Sequence, residues 1–318
     1  MSSADRYEQA ARRGVDWLLA QLRPDGSYGE ADLACYYKSP SALGLAGYPR
    51  QARRLLEVAV ERFRTGDGDF VTSPGVKSAN PIFGEFWSYP NGWLALGAAR
   101  LGRLGVAYQA YAHLLKYRTP EGAFSANDSG IPDAISTAHL GYLALTLGDV
   151  DTAATAAEWL FHLLAAQPDP FAKFYLRTDE NGPRESDESP LHVLTTGAPD
   201  QPYFMIGYPL AFLIRLHQVS EHPNHLVAAQ SYAEYAHLCG ENLIRTPFSH
   251  KVGWGAAILA RHTGDQSHTA LATGIADHLL SLQGPDGNWS PDGPAHATFD
   301  DTAEIAHWLL EIAAELPT

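Results

Sequence analysis

Two neighbouring carboxyls near the end of the chain, Asp300 and Asp301, stand in the segment Thr298-Phe299-Asp300-Asp301-Thr302-Ala303-Glu304. A carboxylic acid that protonates a poor base must be strong yet protonated at rest. Only a dry, hydrogen-bonded setting allows both, and an adjacent carboxylate raises the proton affinity of the pair. The same residues also spell a structural device: Asp301 followed three residues later by Glu304 is a capping box, in which each side chain satisfies the other's backbone N–H. His139, after Asp133 and Ser136, His250, and His307, two helical turns beyond Asp300, are further groups that could accept or support a proton near neutrality. Packing in the core is the competing reading for each. Lys38 and Lys251 could add positive charge, and Glu85 and Asn91 flank another candidate helix start.

Aromatics crowd the same positions. Tyr37, Phe86, Trp87, Trp93, Tyr203, Tyr208, Trp254 and Phe299, with the two lysines, are the candidate substrate-binding residues. Their π-faces suit an apolar or cationic ligand, and they also suit a sugar ring.

The elements that must position these residues are helices. Apolar residues recur with a 3.6-residue period over about twelve segments, with almost no strand signal. One set, near 5–22, 50–64, 104–117, 150–166, 223–240 and 267–283, carries a single apolar stripe and so packs on one side. The other, near 36–48, 86–101, 134–148, 203–219, 250–264 and 300–315, is rich in Gly, Ala and aromatics on several faces, as inner helices are. Six outer helices alternating with six inner ones predict an all-α, (α/α)6 toroid formed by residues 1–318 as one domain. The longer connections, 65–85, 118–133, 167–202 and 284–299, all lead into inner helices, which places the expected site at the rim bearing the inner N-termini. Those N-termini favour anions or polar oxygens. Residues 167–202 read as a lid, or alternatively as a disordered acidic insertion.

A recurring turn punctuates the pattern, with a glycine two residues before an aromatic: Gly26-Ser27-Tyr28, Gly68-Asp69-Phe70, Gly122-Ala123-Phe124 and Gly287-Asn288-Trp289. Such self-similarity marks a repeat architecture. The formal net charge of −14 leaves no basic face for nucleic acid. No apolar run reaches a membrane span and no signal peptide is evident, so a cytoplasmic protein without integral membrane contact is expected. Cys35 and Cys239 lie far apart without metal-ligand spacing and read as buried packing residues. No P-loop, dinucleotide fingerprint or nucleophile elbow appears, so neither cofactor nor metal is expected, only a small-molecule substrate.

These turns resemble those of the squalene and terpene cyclase and protein prenyltransferase superfamily. Trp17-Leu18-Leu19, Gln21 and Asp25-Gly26-Ser27-Tyr28-Gly29 are similar to its repeat motif, and so are Leu279-Leu280, Gln283 and Asp286-Gly287-Asn288-Trp289. The segment Asp300-Asp301-Thr302-Ala303 is similar to the acid motif of class II terpene cyclases, with Thr298 where that motif begins with aspartate. The resemblance implies that Asp300 is the proton donor and Asp301 its supporting neighbour. The zinc-binding set of the prenyltransferases and the diphosphate-ionising motifs of class I synthases are not found. The leading expectation is a cyclase or isomerase acting by general-acid protonation on a polyene or isoprenoid-like substrate in specialised metabolism. Its catalytic residues would be drawn from Asp300, Asp301, His139 and His250. The alternatives are a carbohydrate-active toroid enzyme, of the sugar epimerase or unsaturated-uronyl hydrolase type, and a non-catalytic binding protein.

Overall fold

The computed structural model describes residues 2–179, 181–185 and 190–316. Among them are thirteen α-helices: α1 (Ser3–Ala20), α2 (Ser39–Leu45), α3 (Pro49–Phe63), α4 (Ile82–Glu85), α5 (Tyr89–Arg100), α6 (Leu104–Leu114) and α7 (Ala134–Thr146) come first. They are followed by α8 (Val150–Ala165), α9 (Phe204–Ser220), α10 (Pro223–Ile244), α11 (His250–Thr263), α12 (Gln266–Ser281) and α13 (Ala295–Glu315). Every segment with helical periodicity is a helix. The sixth inner helix begins five residues earlier than its pattern indicated, directly after Pro294, whose fixed φ favours a helix start.

The chain divides into two compact units. The first comprises Asp5–Tyr117 and Leu282–Leu310; the second comprises Ser2–Ala4, Arg118–Ser281 and the residues from Glu311 onward. In the second unit α9 packs between α7 and α11, while α8, α10 and α12 each cover one of them. Small residues set that spacing. A Cβ on Gly207 of α9 would lie 2.3 Å from the backbone nitrogen of Val252 in α11. Only glycine permits so close an approach, which explains why these helices look apolar all round.

The recurring turns have one job in all four copies. Gly26, Gly68, Gly122 and Gly287 adopt φ of 80°, 92°, 87° and 94°, and Tyr28, Phe70, Phe124 and Trp289 behind them are buried. Each glycine abuts an outer helix: Gly26 meets Arg54, Gly68 the Gln109 carbonyl, Gly122 Thr155 and Gly287 the Arg13 carbonyl. Two copies share a further tie. Trp289 N–H donates to Thr302 Oγ1 at 3.0 Å, and Phe124 N–H donates to Thr137 Oγ1 at 3.0 Å. Thr302, conspicuous in the acid-like segment, therefore pins the preceding turn to the helix and serves the fold.

Gly287→Ala should destabilise the protein by about 2–3 kcal/mol, because a Cβ would sit 2.7 Å from the Arg13 carbonyl in a left-handed turn. Gly75, at φ 74° with nothing within 4 Å of a Cβ, supplies the control. Denaturant titration should show Gly75→Ala losing clearly less; equal losses would mean that close packing at Gly287 contributes nothing.

The segment 167–202 is not structureless. Strands β1 (Lys173–Tyr175) and β4 (Val193–Thr195) pair antiparallel, and β2 (Thr178–Asp179) pairs with β3 (Gly182–Pro183). Phe174 and Leu176 alternate inward, Phe174 against Tyr232 and Tyr235 of α10. The Ala134 N–H donates to the Leu176 carbonyl, tying the segment to the first turn of α7. Residues 180 and 186–189 of the expected lid lie outside the described residues.

Candidate active site

The chemistry-bearing cluster of the first unit is built from α13, α5 and the turn leading into α2. Asp300 and Glu304 lie four residues apart and share one face of α13. Lys38, the residue before α2, places its ammonium 2.8 Å from Asp300 Oδ1 and 2.5 Å from Glu304 Oε2. Tyr89 donates its hydroxyl to Glu304 Oε1 at 3.1 Å, and Trp308 Nε1–H donates to the same oxygen at 3.3 Å. Three aromatic faces surround the ammonium: Tyr37, Tyr89 and Trp93 have centroids 4.9, 5.7 and 5.9 Å from Nζ.

Exposure separates the two acids only modestly: the side chains of Lys38 and Glu304 are 2% and 8% accessible, whereas Asp300 retains 14%.

Two carboxyls share one ammonium in a dry setting, and the titration of the cluster follows. Burial pushes the Asp300 carboxyl up; the ammonium of Lys38 opposes this, Glu304 and Asp301 reinforce it, and the result is a value of about 6. Burial would draw the Lys38 ammonium down, but Asp300 and Glu304 outweigh it and hold it above its ordinary value. Burial and the positive charge of Arg100 hold His307 well below the usual histidine range, so it is neutral. Its ring meets Trp93 and Trp308 edge-on, which is a packing role.

Asp301 does not cap the helix. The first residue of α13 is Ala295, so Asp301 lies in its second turn, where it accepts a hydrogen bond from Ser290 Oγ. Glu304, the expected capping partner, turns to Lys38 instead. Thr298 donates to the Ser290 carbonyl at 2.8 Å and anchors the preceding turn. Phe299 packs on Trp17 and Tyr28. Phe86 is buried at the end of α4, and Trp87 donates Nε1–H to Asp69 Oδ2 at 2.8 Å.

The remaining candidates belong to the second unit. His139 stacks on Tyr208 with centroids 4.8 Å apart, and Trp254 meets Tyr208 edge-on at 5.8 Å. Lys251 Nζ lies 2.9 Å from His250 Nε2, and His250 Nδ1 lies 3.0 Å from the Pro247 carbonyl. Tyr203 donates its hydroxyl to the Ala198 carbonyl at 2.6 Å.

Sequence reasoning missed Glu304 as the partner of Asp300, although their i,i+4 spacing carries the signal. No group of three or more metal-ligating side chains comes together among the described residues, and none of their helices is long and apolar enough to cross a membrane. A surface cleft of about 460 Å³ between α1 and α3, lined by residues such as Leu19, Arg23, Arg50 and Arg54, shares no residue with the Asp300 cluster.

No protein-family model matches the chain, and no curated protein matches it in sequence. Solved structures do match in fold. A D-mannose isomerase is similar over 96% of this chain and 97% of its own, with 12% identity and a TM-score of 0.70. A family 76 glycoside hydrolase from a bovine Bacteroides thetaiotaomicron strain is similar over 98% of this chain and 78% of its own, with 14% identity and a TM-score of 0.68. A type II terpene cyclase from Scytonema, bound to geranylgeranyl dihydroxybenzoate, is similar over 99% of both chains, with 13% identity and a TM-score of 0.58. The fold is thus the all-α, α/α-toroid class, and these neighbours are an isomerase, a hydrolase and a cyclase. At such identities the likeness concerns the fold alone.

Proposed function

We propose that this protein is a proton-transfer enzyme of the cyclase or isomerase type, acting on an isoprenoid-like or other polyene substrate, with Asp300 as the general acid. The observation that carries the reading is the Asp300 carboxyl itself. It is raised to about 6, partly accessible, and set beside a buried ammonium and aromatic rings. A carboxyl titrating there is partly protonated at neutral pH and can give its proton up.

On transfer, the alkene π-electrons form the new C–H bond and leave a carbocation, while Asp300 becomes a carboxylate. Lys38, 2.8 Å away, stabilises that carboxylate as it forms and so strengthens the acid during the step. The faces of Tyr37, Tyr89 and Trp93 hold the Lys38 ammonium beside the acid. A neighbouring C–H bond of the cation then breaks, its electrons forming the new double bond, and the proton passes to solvent while Asp300 is reprotonated, so the isomerisation or cyclisation has no net proton change.

A carbohydrate substrate is the second reading, favoured by the density of polar groups. The Lys38–Glu304–Tyr89 chain of hydrogen bonds suits hydroxyls better than hydrocarbon. Melting curves with prenyl diphosphates, squalene-like polyenes and their epoxides, against hexoses and uronates, test the choice. The proposal expects a rise with the isoprenoid set, since a ligand at 100 times its Kd adds about 2.7 kcal/mol. A rise confined to the sugars would overturn it in favour of the second reading.

A further inference from the structure

Outside the acid cluster, the first unit holds a second buried polar network that the proton transfer does not use. Asp69 and Lys77, both from the segment leading into α4, are buried, as is Asn91 of α5. Lys77 Nζ lies 2.5 Å from Asp69 Oδ1 and 2.7 Å from Asn91 Oδ1, with the Trp87 ring centroid 4.9 Å away. Asp69 also accepts from Asn91 Nδ2 at 2.9 Å, from Trp87 Nε1 at 2.8 Å and from the Phe70 N–H at 2.8 Å. From α6, His113 places Nε2 3.8 Å from Asp69 Oδ1 and Nδ1 3.3 Å from Asp67 Oδ2. Lys116 adds a like charge that disfavours the Lys77 ammonium.

The location of this network gives it a consequence for Asp300. Tyr89 and Trp93 are four residues apart on α5 and face the acid cluster. Asn91, two residues from each, points from the opposite side of the helix. We propose that Asp69 and Lys77 are positioning residues: by gripping Asn91 and Trp87 they fix the first turn of α5, and so hold Tyr89 against Glu304 and Trp93 beside the Lys38 ammonium.

A buried ion pair with its hydrogen bonds satisfied fixes one arrangement and is costly to break. Lys77 is also delicately held: burial draws its ammonium down to about 8, against the pull of Asp69. Without the pair, the start of α5 gains freedom and water reaches the acid cluster. The desolvation that raises Asp300 then weakens, and its carboxyl returns toward the ordinary aspartate range.

This inference rests on the reading of Asp300 as a raised carboxyl, so the test measures that group directly. Carbon-13 carboxyl NMR of aspartate-labelled protein, with the Asp300 signal identified by its loss in Asp300→Asn, gives the titration midpoint without any substrate. Lys77→Met should lower the midpoint by about one pH unit, and so should Asn91→Ala, a milder change should the methionine variant fold poorly. A role confined to stability would lower the melting temperature and leave the midpoint alone. Two folded variants with the wild-type midpoint would overturn the proposal. A wild-type midpoint near the ordinary aspartate value would instead remove the acid assignment on which it rests.

Discussion

Lys38→Met should cost the protein about 3–5 kcal/mol of stability at pH 8, among the largest losses any single substitution would cause here. The reason is the charge it leaves behind. Asp300 and Glu304 would remain as two carboxyls on one face of α13, with no ammonium between them. Much of the loss should return in acid. In the variant both carboxyls are raised in the folded state, so protonation stabilises it, fully so below the unfolded value near 4 and progressively less as pH rises through the folded values. The wild-type protein should show a smaller effect of the same sign, since Asp300 is raised from 3.8 to about 6. Urea titrations of both proteins between pH 4.5 and 8 check this. A stability difference that did not shrink toward low pH would mean that Lys38 is not compensating carboxylates.

The second large effect falls on turnover. Asp300→Asn keeps the size and polarity of the side chain but has no carboxyl proton to give, so product formation should fall by about 10²–10⁴-fold, the range for losing a general acid. Substrate should still bind, because asparagine keeps the shape of the side chain it replaces. The loss should thus lie in kcat, with KM nearly unchanged. Glu304→Gln should be milder, since Glu304 acts through Lys38 and Tyr89. Steady-state kinetics on whichever substrate emerges from the ligand screen decides the matter. An Asp300→Asn enzyme at full rate would end the acid assignment.

Helices were legible in the sequence because each must bury a stripe or a whole surface, and both requirements write a period into it. The glycine turns were legible too, because a left-handed φ and close contact with a neighbouring helix admit few other residues. Local signals that pointed two ways were harder. Asp301 and Glu304 have capping-box spacing, but Pro294 starts the helix earlier and frees Glu304 for Lys38. Phe174 and Leu176 alternate inward in β1 and just beyond it, yet a strand of three residues is too short to stand out in sequence. The Lys77 network left no trace at all. Its partners Asp69, Trp87, Asn91 and His113 are brought together by tertiary packing, and no spacing along the chain announces a buried lysine.

Within the acid-like segment the structure divides labour between neighbours. Thr298 and Thr302 tie the preceding turn, and Asp301 takes the Ser290 hydroxyl. Asp300 and Glu304 meet the ammonium. Of these two, Asp300 keeps the larger exposure.

The claim tested most directly is that this carboxyl carries a proton near neutral pH. The titration of the Asp300 carboxyl signal in the otherwise unaltered protein measures it. The expected midpoint is near 6. A midpoint near 4, with the carboxyl fully ionised throughout the neutral range, would contradict it.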